Sequence, residues 1–468
     1  MRKTKQLYLL LGILAAVCIA AFAVSRHEEK KEQIRSSGEQ ILAIPADSVT
    51  ALSWEYGDGA LAFTRTETGW QYDGDEAFPV DGDRLEQLLE PFAALSAAFV
   101  IADVEDYSQY GLEEPACTIH ITAGENAYTV RLGDFSKMDE QRYLSLEDGN
   151  AYLAVEDPLT AFDVELSDLI RNDTMPDWDT VSAIAFSGTE SYTIRRREDG
   201  SSICAEDIYF VEDAPLDTDN VEDYLNALHT LSLSDYVSYS VTEEELEDLS
   251  LAQPELTVQV DYTNANGAED TVTVQLARDP EDQAAYEQAV ADEADVYPSV
   301  ARYVRLGDSP IVYQITETKF NTLTGAAYDS MRHQQLFTGD FDTVTAVEIT
   351  LDGETVTFLR EDGEEEETVW RYGEARVDIS QLKSELLSLR VSEFSSEKAE
   401  GQAEISLTLH LENEAYPTFC LTLYRYDGET CRAEVDGAAV GLASRAQTVD
   451  LMEAAREIIL NADADNAD

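Results

Sequence analysis

Short segments in which apolar and polar residues alternate recur three times along the chain. Each copy opens with an aspartate, a hydroxyl residue, a valine, a second hydroxyl residue and an alanine. A second alternating segment and a short aromatic segment follow. Alternation with period two predicts β-strands, and self-similarity at this scale predicts tandem copies of one module. The three segments are 47–52, 61–65 and 70–72 in the first copy, 179–184, 192–196 and 208–210 in the second, and 342–347, 356–360 and 370–372 in the third.

A predicted helix follows the aromatic segment in each copy. It begins after an aspartate, whose carboxylate can accept hydrogen bonds from the free amides of a first helical turn. Apolar residues stand four, eight and eleven positions later, which places them on one helix face. These aspartates and apolar residues are therefore predicted to be caps and core. They are Asp81 with Leu85, Leu89 and Phe92, Asp217 with Val221, Leu225 and Leu228, and Asp378 with Leu382, Leu386 and Leu389.

The second half of each copy predicts paired antiparallel strands and a closing helix. Alternating segments flank turn residues, which is typical of hairpins with one buried face. The predicted fold class is α+β, with three tandem modules of antiparallel sheet and packed helices. The predicted strand pairs are 118–121 with 128–132 and 143–146 with 151–154, then 256–260 with 271–276 and 303–306 with 311–315, then 405–411 with 418–424 and 431–435 with 440–442; the closing helices are 159–170, 318–331 and 447–460.

The predicted module boundaries are 41–175, 176–335 and 336–460. The second module carries an insertion at 278–301, rich in alanine, glutamate, aspartate and glutamine, which predicts an extra exposed helix. The first two modules share a phrase that ends in Pro115 and Pro254, whereas the third has a plain loop at 395–403. The acidic residues 461–468 are predicted to form a disordered tail.

The N-terminus predicts a membrane-directed segment. A basic tail, 1–5, precedes the uncharged and mainly apolar run 6–24, which is nearly long enough to cross a bilayer core of about 30 Å. We expect an uncleaved signal anchor. A cleaved signal peptide, with small residues at Ala21 and Ala23, remains the alternative. Residues 25–40 are predicted to be a charged linker, and export of the large part of the chain is expected.

The chain is strongly acidic. It contains 31 lysine and arginine residues against 95 aspartate and glutamate residues, which gives a formal net charge of −64. Such a surface repels nucleic acid, whose binding needs basic patches. Nucleic acid is therefore excluded as a partner, while the acidic excess suits solubility outside the membrane.

Several acidic segments invite a comparison with calcium loops, notably 73–76, 81–83 and 463–468. None has the spaced ligands, central glycine and terminal glutamate of the twelve-residue loop, so no metal-binding residues are predicted. Four cysteines follow the apolar run. Cys420 and Cys431 flank a turn, but a two-residue turn would place Cys431 opposite Tyr424, so no disulfide between them is predicted.

No catalytic or cofactor-binding residues are predicted. The five histidines are isolated in sequence, and the chain lacks the helical zinc motif, the nucleophile elbow and the phosphate-binding glycine loop. His120 and His410 occupy matching strands, which favours packing over chemistry. Aromatic residues such as Trp70 and Trp370 could stack on a sugar ring, but their alternating positions favour packing.

The chain resembles the bacterial DUF4340 family, a domain of unknown function. The resemblance rests on the basic start and apolar run, on the opening 49–56, and on 69–70, 78–81 and 110–115. It is best over about residues 40–330 and fainter in the third module. It implies a membrane-tethered bacterial protein, single-pass with its large acidic part outside the cytoplasm. It also implies association with an ABC-2 type (gliding-motility-like) export system, with a permease or auxiliary protein as partner.

We therefore expect a non-catalytic, membrane-anchored accessory or interaction protein. The alternative is a secreted or surface-anchored protein that binds or hydrolyses an envelope glycan in an acidic, aromatic-lined cleft between modules. Any specific function is predicted to lie where the copies differ, at the insertion 278–301 and at the junctions between modules.

Overall fold

The computed structural model describes residues 38–362 and 368–465. These residues divide into two compact units. One comprises the residues up to Asp173 together with Ser238–Ser240, and the other comprises the rest from Thr174 onward. The predicted tail 1–5, the predicted span 6–24 and residues 25–37 of the predicted linker lie outside the described residues. Among the residues described, we find no helix that is long and apolar enough to span a membrane.

The first module forms one antiparallel sheet and short helices. Its strands are β1 (Glu39–Leu42), β2 (Val49–Tyr56), β3 (Gly59–Thr66), β4 (Gly69–Tyr72), β5 (Leu95–Ile101), β6 (Cys117–Ala123), β7 (Asn126–Ser136), β8 (Gln141–Ser145) and β9 (Ala151–Ala154). Its α-helices are α1 (Gly82–Ala93) and α2 (Leu159–Phe162), and its 3-10 helices are Ala46–Ser48, Ser108–Tyr110 and Leu166–Leu169. The strand order is β1-β5-β9-β8-β7-β6-β2-β3-β4.

The second module forms another nine-stranded sheet. Its strands are β10 (Thr180–Gly188), β11 (Ser191–Arg196), β12 (Tyr209–Val211), β13 (Ala214–Pro215), β14 (Tyr236–Ser238), β15 (Leu256–Thr263), β16 (Glu269–Arg278), β17 (Arg302–Leu306) and β18 (Val312–Gln314). Its helices are α3 (Thr218–His229), α4 (Glu243–Asp248), α5 (Pro280–Ala291) and α6 (Glu317–Thr324), with a 3-10 helix at Tyr328–Met331. The strand order is β13-β12-β11-β10-β15-β16-β17-β18-β14.

The third module repeats this arrangement. Its strands are β19 (Val344–Leu351), β20 (Glu354–Asp362), β21 (Thr368–Tyr372), β22 (Ala375–Val377), β23 (Val391–Phe394), β24 (Ala403–Leu411), β25 (Thr418–Arg425), β26 (Thr430–Val435) and β27 (Ala438–Ser444). Its helices are α7 (Ser380–Ser388) and α8 (Arg445–Asp465), with a 3-10 helix at Phe341–Thr343. The strand order is β22-β21-β20-β19-β24-β25-β26-β27-β23.

The three sheets share eight strands in the same spatial order. The ninth strand differs, because β1 extends the first sheet beyond β5, whereas β13 and β22 extend the other two at the opposite edge. The predicted α+β class with three modules of antiparallel sheet is therefore confirmed. The predicted hairpins also form, with register pairs Ile119↔Val130, Val258↔Val274 and Leu407↔Leu421 in the central strands.

The repeated opening phrase forms a strand with a β-bulge in every module. The pairing register shifts between the valine and the alanine of the phrase, and the hydroxyl residue between them donates to a carbonyl oxygen of the neighbouring strand. This hydrogen bond explains why a hydroxyl residue recurs at that position. The bonds run from Thr50 to Thr122 (3.3 Å), from Ser182 to Asp261 (3.1 Å) and from Thr345 to His410 (3.1 Å).

The predicted aspartate caps are confirmed in the first two modules. Asp81 Oδ1 accepts from the amides of Asp83 and Arg84, and Asp217 Oδ1 accepts from the amide of Asp219. In the third module the predicted aspartate cap is wrong, because the helix begins one residue later and Ile379 takes the N-cap position; Asp378 Oδ1 accepts from the amide of Ser380 at 2.9 Å. The apolar residues predicted to share the helix face are buried in all three modules: Leu85, Leu89, Phe92, Val221, Leu225, Leu228, Leu382, Leu386 and Leu389.

A strand that the sequence did not predict follows this helix in each module. Strands β5, β14 and β23 each pair with the last strand of the second hairpin of their module, which is β9, β18 and β27 respectively. Alternation is weak in these segments; β5, for example, reads Leu-Ser-Ala-Ala-Phe-Val-Ile. Strand β23 ends at Phe394, immediately before the predicted loop 395–403.

The closing helices differ among the modules. In the first module the predicted helix 159–170 is broken into α2 and a 3-10 turn, and in the second the predicted helix 318–331 ends at Gly325. The third closing helix is continuous, and its buried residues include Leu451 and Ala455. It extends to Asp465, so it takes in residues that the sequence placed in a disordered tail. The predicted insertion helix forms as α5, which buries none of its residues.

Candidate functional site

Each module has a framework of equivalent residues where its opening hairpin meets its first helix. An arginine stands near the end of the second strand, an aromatic residue lies opposite it on the third, and an aspartate stands directly before the helix or one residue further back. In the second module the aromatic residue is Tyr209, because Tyr209 pairs with Arg196; the segment 208–210 is therefore offset by one residue from 70–72 and 370–372. The framework residues are Arg65, Trp70 and Asp81, then Arg196, Tyr209 and Asp217, then Arg360, Trp370 and Asp378. We call this place the hairpin–helix groove.

In the first module the groove is occupied by the protein's own side chains. Arg65 lies over the ring of Trp70, 4.9 Å from its centroid. Its guanidinium also contacts Glu86 of α1 at 2.5 Å. The arginine therefore joins the sheet to the helix through a cation–π contact and an ion pair.

In the second module the groove encloses a small cavity of about 310 Å³. Its lining includes Trp178, Arg196, Glu222 and His229. The imidazole of His229 packs against the indole of Trp178, with ring centroids 5.1 Å apart. Arg196 pairs with Glu198 on the surface. The lining therefore remains mixed in charge.

In the third module the groove is a cavity of about 780 Å³. Arg360 lies beneath it, where Nη1 donates to the carbonyl oxygens of Asp342 (2.5 Å) and Val344 (3.0 Å). Lys383 of α7 lies 3.1 Å from Asp342 Oδ1 and 4.9 Å from the ring centroid of Phe341. The rings of Phe341 and Trp370 are 6.2 Å apart, and Arg376 lines the same cavity. Cations and aromatic rings therefore share one opening of the size that small ligands occupy.

Two positions of this groove differ in charge between the modules. Five residues after the aspartate, the helix carries Glu86 and Glu222 in the first two modules but Lys383 in the third. Two residues before the aspartate, the chain carries Pro79 and Pro215 but then Arg376. The third groove is therefore basic where the other two are acidic or neutral.

A second polar cluster lies in the second unit, where the chain leaves the second module. His333 Nε2 is 2.9 Å from Asp207 Oδ1, and His333 Nδ1 is 3.5 Å from Asp217 Oδ2. Asp207 is buried and also accepts from the Ser202 hydroxyl at 2.7 Å. Burial of the imidazole lowers the pKa of His333, but the hydrogen bond and charge of Asp207, with the charge of Asp217, outweigh it and raise that pKa above its ordinary value. The protonated imidazole is therefore the favoured partner of a buried carboxylate.

The four described cysteines are free. Burial raises the pKa of the Cys117 thiol to about 12 and that of Cys431 to about 11, which disfavours the nucleophilic thiolate. Cys431 lies opposite Arg425 and not opposite Tyr424, so the predicted register is wrong by one residue. The reason is the turn, which is longer than two residues, since the amide of Tyr426 donates to Thr430 O. Cys431 still does not face Cys420.

Two of the acidic segments that the sequence singled out, 73–76 and 81–83, contain residues with structural partners. Asp81 is a helix cap, and Asp75 accepts from the amide of Ala77 and from the Tyr239 hydroxyl. In residues 38–362 and 368–465, no three His, Cys, Asp or Glu side chains are grouped so that they could hold a metal ion.

The histidines on matching strands are not at the same position. His120 lies opposite Ser53, whereas His410 lies opposite Ala346, whose counterpart in the first module is Ala51. The two histidines lie on matching strands, as predicted, but they are displaced by two residues along them.

The sequence search missed both the basic groove and the His333 cluster. The groove could have been found from the sequence. Glu86, Glu222 and Lys383 each stand five residues after the repeated aspartate, in the helix whose apolar face was predicted by the same spacing. The His333 cluster had no such signal, because His333 and Asp207 are 126 residues apart in sequence.

Comparison with known proteins identifies the family. No curated protein and no solved structure is significantly similar to this chain. The model of a family described as a domain of unknown function, DUF4340, matches residues 70–254 and again residues 208–408. The two matches begin at corresponding strands, β4 and β12, so each covers the later part of one module and the opening of the next. Together they extend over more than half of the chain, which therefore belongs to the DUF4340 family.

Proposed function

We propose that this protein is a non-catalytic interaction protein. In this proposal an N-terminal anchor, residues 6–24, holds three modules outside the cytoplasm, beside a permease or auxiliary protein of an ABC-2 type export system. The observation that carries the proposal is that the repeated residues stabilise the fold of each module. Two of the three repeated aspartates cap helices, the leucines fill cores and the hydroxyl residues tie bulges to neighbouring strands.

This use of the repeated residues supports a scaffold role. Tandem modules of one fold present an extended surface, and such arrays commonly serve as interaction platforms. The net charge of −64 supports a location where the modules stay soluble and apart from anionic lipid headgroups. The family membership is compatible with the proposal but carries no activity, since the family is described only as a domain of unknown function.

The partner experiment uses the full-length chain in its native membrane. Cells are treated with a membrane-permeant crosslinker, extracted in mild detergent, and the crosslinked products are identified by mass spectrometry. The proposal expects a permease or its auxiliary protein among the products of the intact chain. A chain that lacks residues 1–24 serves as control and should lose most of these products. Products that contain no export-system component would overturn the proposal.

The location has its own test. Protease added outside intact cells, after the outer envelope is permeabilised, should digest the modules while a cytoplasmic marker protein survives. Protection of the modules equal to that of the marker would exclude the proposed topology. The alternative predicted from the sequence, an envelope-glycan hydrolase, would be favoured by turnover of glycans by the same purified chain without any partner.

A further inference from the structure

We propose that the hairpin–helix groove of the third module binds a small anionic ligand, one that carries a carboxylate or phosphate group beside a ring. The inference concerns residues of one module and does not depend on the export-system partner. Among the three copies of the framework, only the third carries basic residues, Arg376 and Lys383, at the two positions that are neutral or acidic in the others.

The charge change is concentrated at the cavity. The third groove is lined by three cations, Arg360, Arg376 and Lys383, and by two carboxylates, Asp342 and Asp378, while Glu412 pairs with Arg360 from outside the lining. At the equivalent positions the other modules each have one arginine and three carboxylates. The equivalent residues are Arg65, Asp47, Asp81 and Glu86 in the first module and Arg196, Asp179, Asp217 and Glu222 in the second.

The framework also leaves more room in the third module. Arg65 of the first module covers its tryptophan and pairs with the helix glutamate. In the third module the helix residue is Lys383, which repels the guanidinium, and Arg360 instead contacts two backbone carbonyls and Glu412 at 3.0 Å. The result is a cavity of about 780 Å³ with Trp370 in its lining. This volume lies within the range of small-molecule sites.

The lining defines the class of ligand. The donors of Arg360 are engaged with two carbonyls and Glu412, so Arg360 adds positive charge beside the cavity, while the ammonium of Lys383 is a mobile point charge that can bind a carboxylate or a phosphate. The rings of Phe341 and Trp370 offer apolar surface to a sugar or aromatic ring. A chain with a net charge of −64 repels large polyanions, so the local cations suit a small anion and not a nucleic acid.

The other two modules suggest which substitution tests the site. Lys383→Glu restores the residue that the other two modules carry at this helix position, so the fold tolerates it in two copies. Lys398→Glu is the matched control, because Lys398 is an exposed residue of the same module that does not line the groove. Both variants change the net charge by the same amount, and circular dichroism melting checks that both remain folded.

Binding to the full chain is measured by isothermal titration calorimetry with glucuronate, glucose 6-phosphate, inorganic phosphate and glucose. We expect the wild-type chain to bind glucuronate, glucose 6-phosphate or both, and to bind glucose at least tenfold more weakly. A preference between the two anions identifies a carboxylate or a phosphate as the recognised group. Lys383→Glu should weaken the binding at least tenfold, while Lys398→Glu changes it less than twofold. Absence of binding by both anionic sugars, or equal loss in the two variants, would overturn the proposal.

Discussion

The hydroxyl of Thr345 donates to the carbonyl oxygen of His410 at 3.1 Å, across a β-bulge between β19 and β24. Thr50 and Ser182 make the equivalent bond in the other modules. The bond joins β19 to β24 near the first residues of β19, where the pairing register shifts. A repeated polar side chain is thus part of the sheet itself.

Replacement of this hydroxyl should destabilise the third module. Thr345→Val keeps the shape but removes the donor, and we expect the free energy of unfolding to fall by about 1 kcal/mol. Thr345→Ser keeps the hydroxyl and serves as control, with a smaller loss. Urea unfolding followed by pulse proteolysis measures both. A loss confined to Thr345→Ser would show that the methyl group, and not the hydroxyl, matters.

The stability of the second unit should depend on the protonation of His333. The pKa of His333 is raised from its ordinary value of 6.5, mainly because Asp207 and Asp217 outweigh the effect of burial. A raised folded-state pKa means that the stabilisation is complete below about pH 6.5 and is lost as the pH rises through the folded-state value.

His333→Ala should therefore cost most at acidic pH. Below pH 6 we expect a loss of about 3 kcal/mol, because Asp207 is left as a buried carboxylate without its cation. The difference from the wild type should shrink as the pH rises to 9. Urea unfolding at several pH values gives the profile. His229→Ala, at a histidine whose side chain is 40% exposed, should stay within about 0.5 kcal/mol of the wild type. A cost of His333→Ala that does not vary with pH would contradict this assignment.

The helix cap at Asp81 can be tested with a pair of variants. Asp81→Ala removes the acceptor for the amides of Asp83 and Arg84, and should destabilise α1 by about 1 kcal/mol. Asp81→Asn should cost much less, since asparagine caps helices as well as aspartate does. Hydrogen exchange of the first-turn amides reports the local effect. Faster exchange in both variants alike would mean that the charge, and not the cap geometry, stabilises this end.

The buried thiols should react slowly in the native protein. Burial holds the pKa of Cys117 near 12 and that of Cys431 near 11, so little thiolate is present at pH 8. We expect iodoacetamide to alkylate both at least tenfold more slowly than it does in urea. Mass spectrometry of the digested protein follows each site, and the partly exposed Cys420 gives the internal comparison. Rapid native alkylation of Cys117 would show that the strand opens readily.

Periodicity predicted most of the architecture because each module repeats the same local signals. Leu85, Leu89 and Phe92 are recognisable as one helix face because their spacing matches the helical repeat, and all are buried. Strand β5 was missed because alanine and serine give it little alternation. The break after α2 and the longer turn before Cys431 were also missed, since both depend on local backbone geometry.

Residue spacing along the chain was enough to predict the three modules, their α+β class, two of the helix-capping aspartates and the core positions. These features depend on short-range spacing and on burial of apolar residues, which a linear pattern records. That Arg360, Lys383 and Trp370 share one cavity, and that His333 contacts Asp207, is evident only in the folded chain. Arg360, Trp370 and Lys383 belong to two strands and a helix, and His333 and Asp207 are 126 residues apart in sequence, so these groups come together only when the elements have packed.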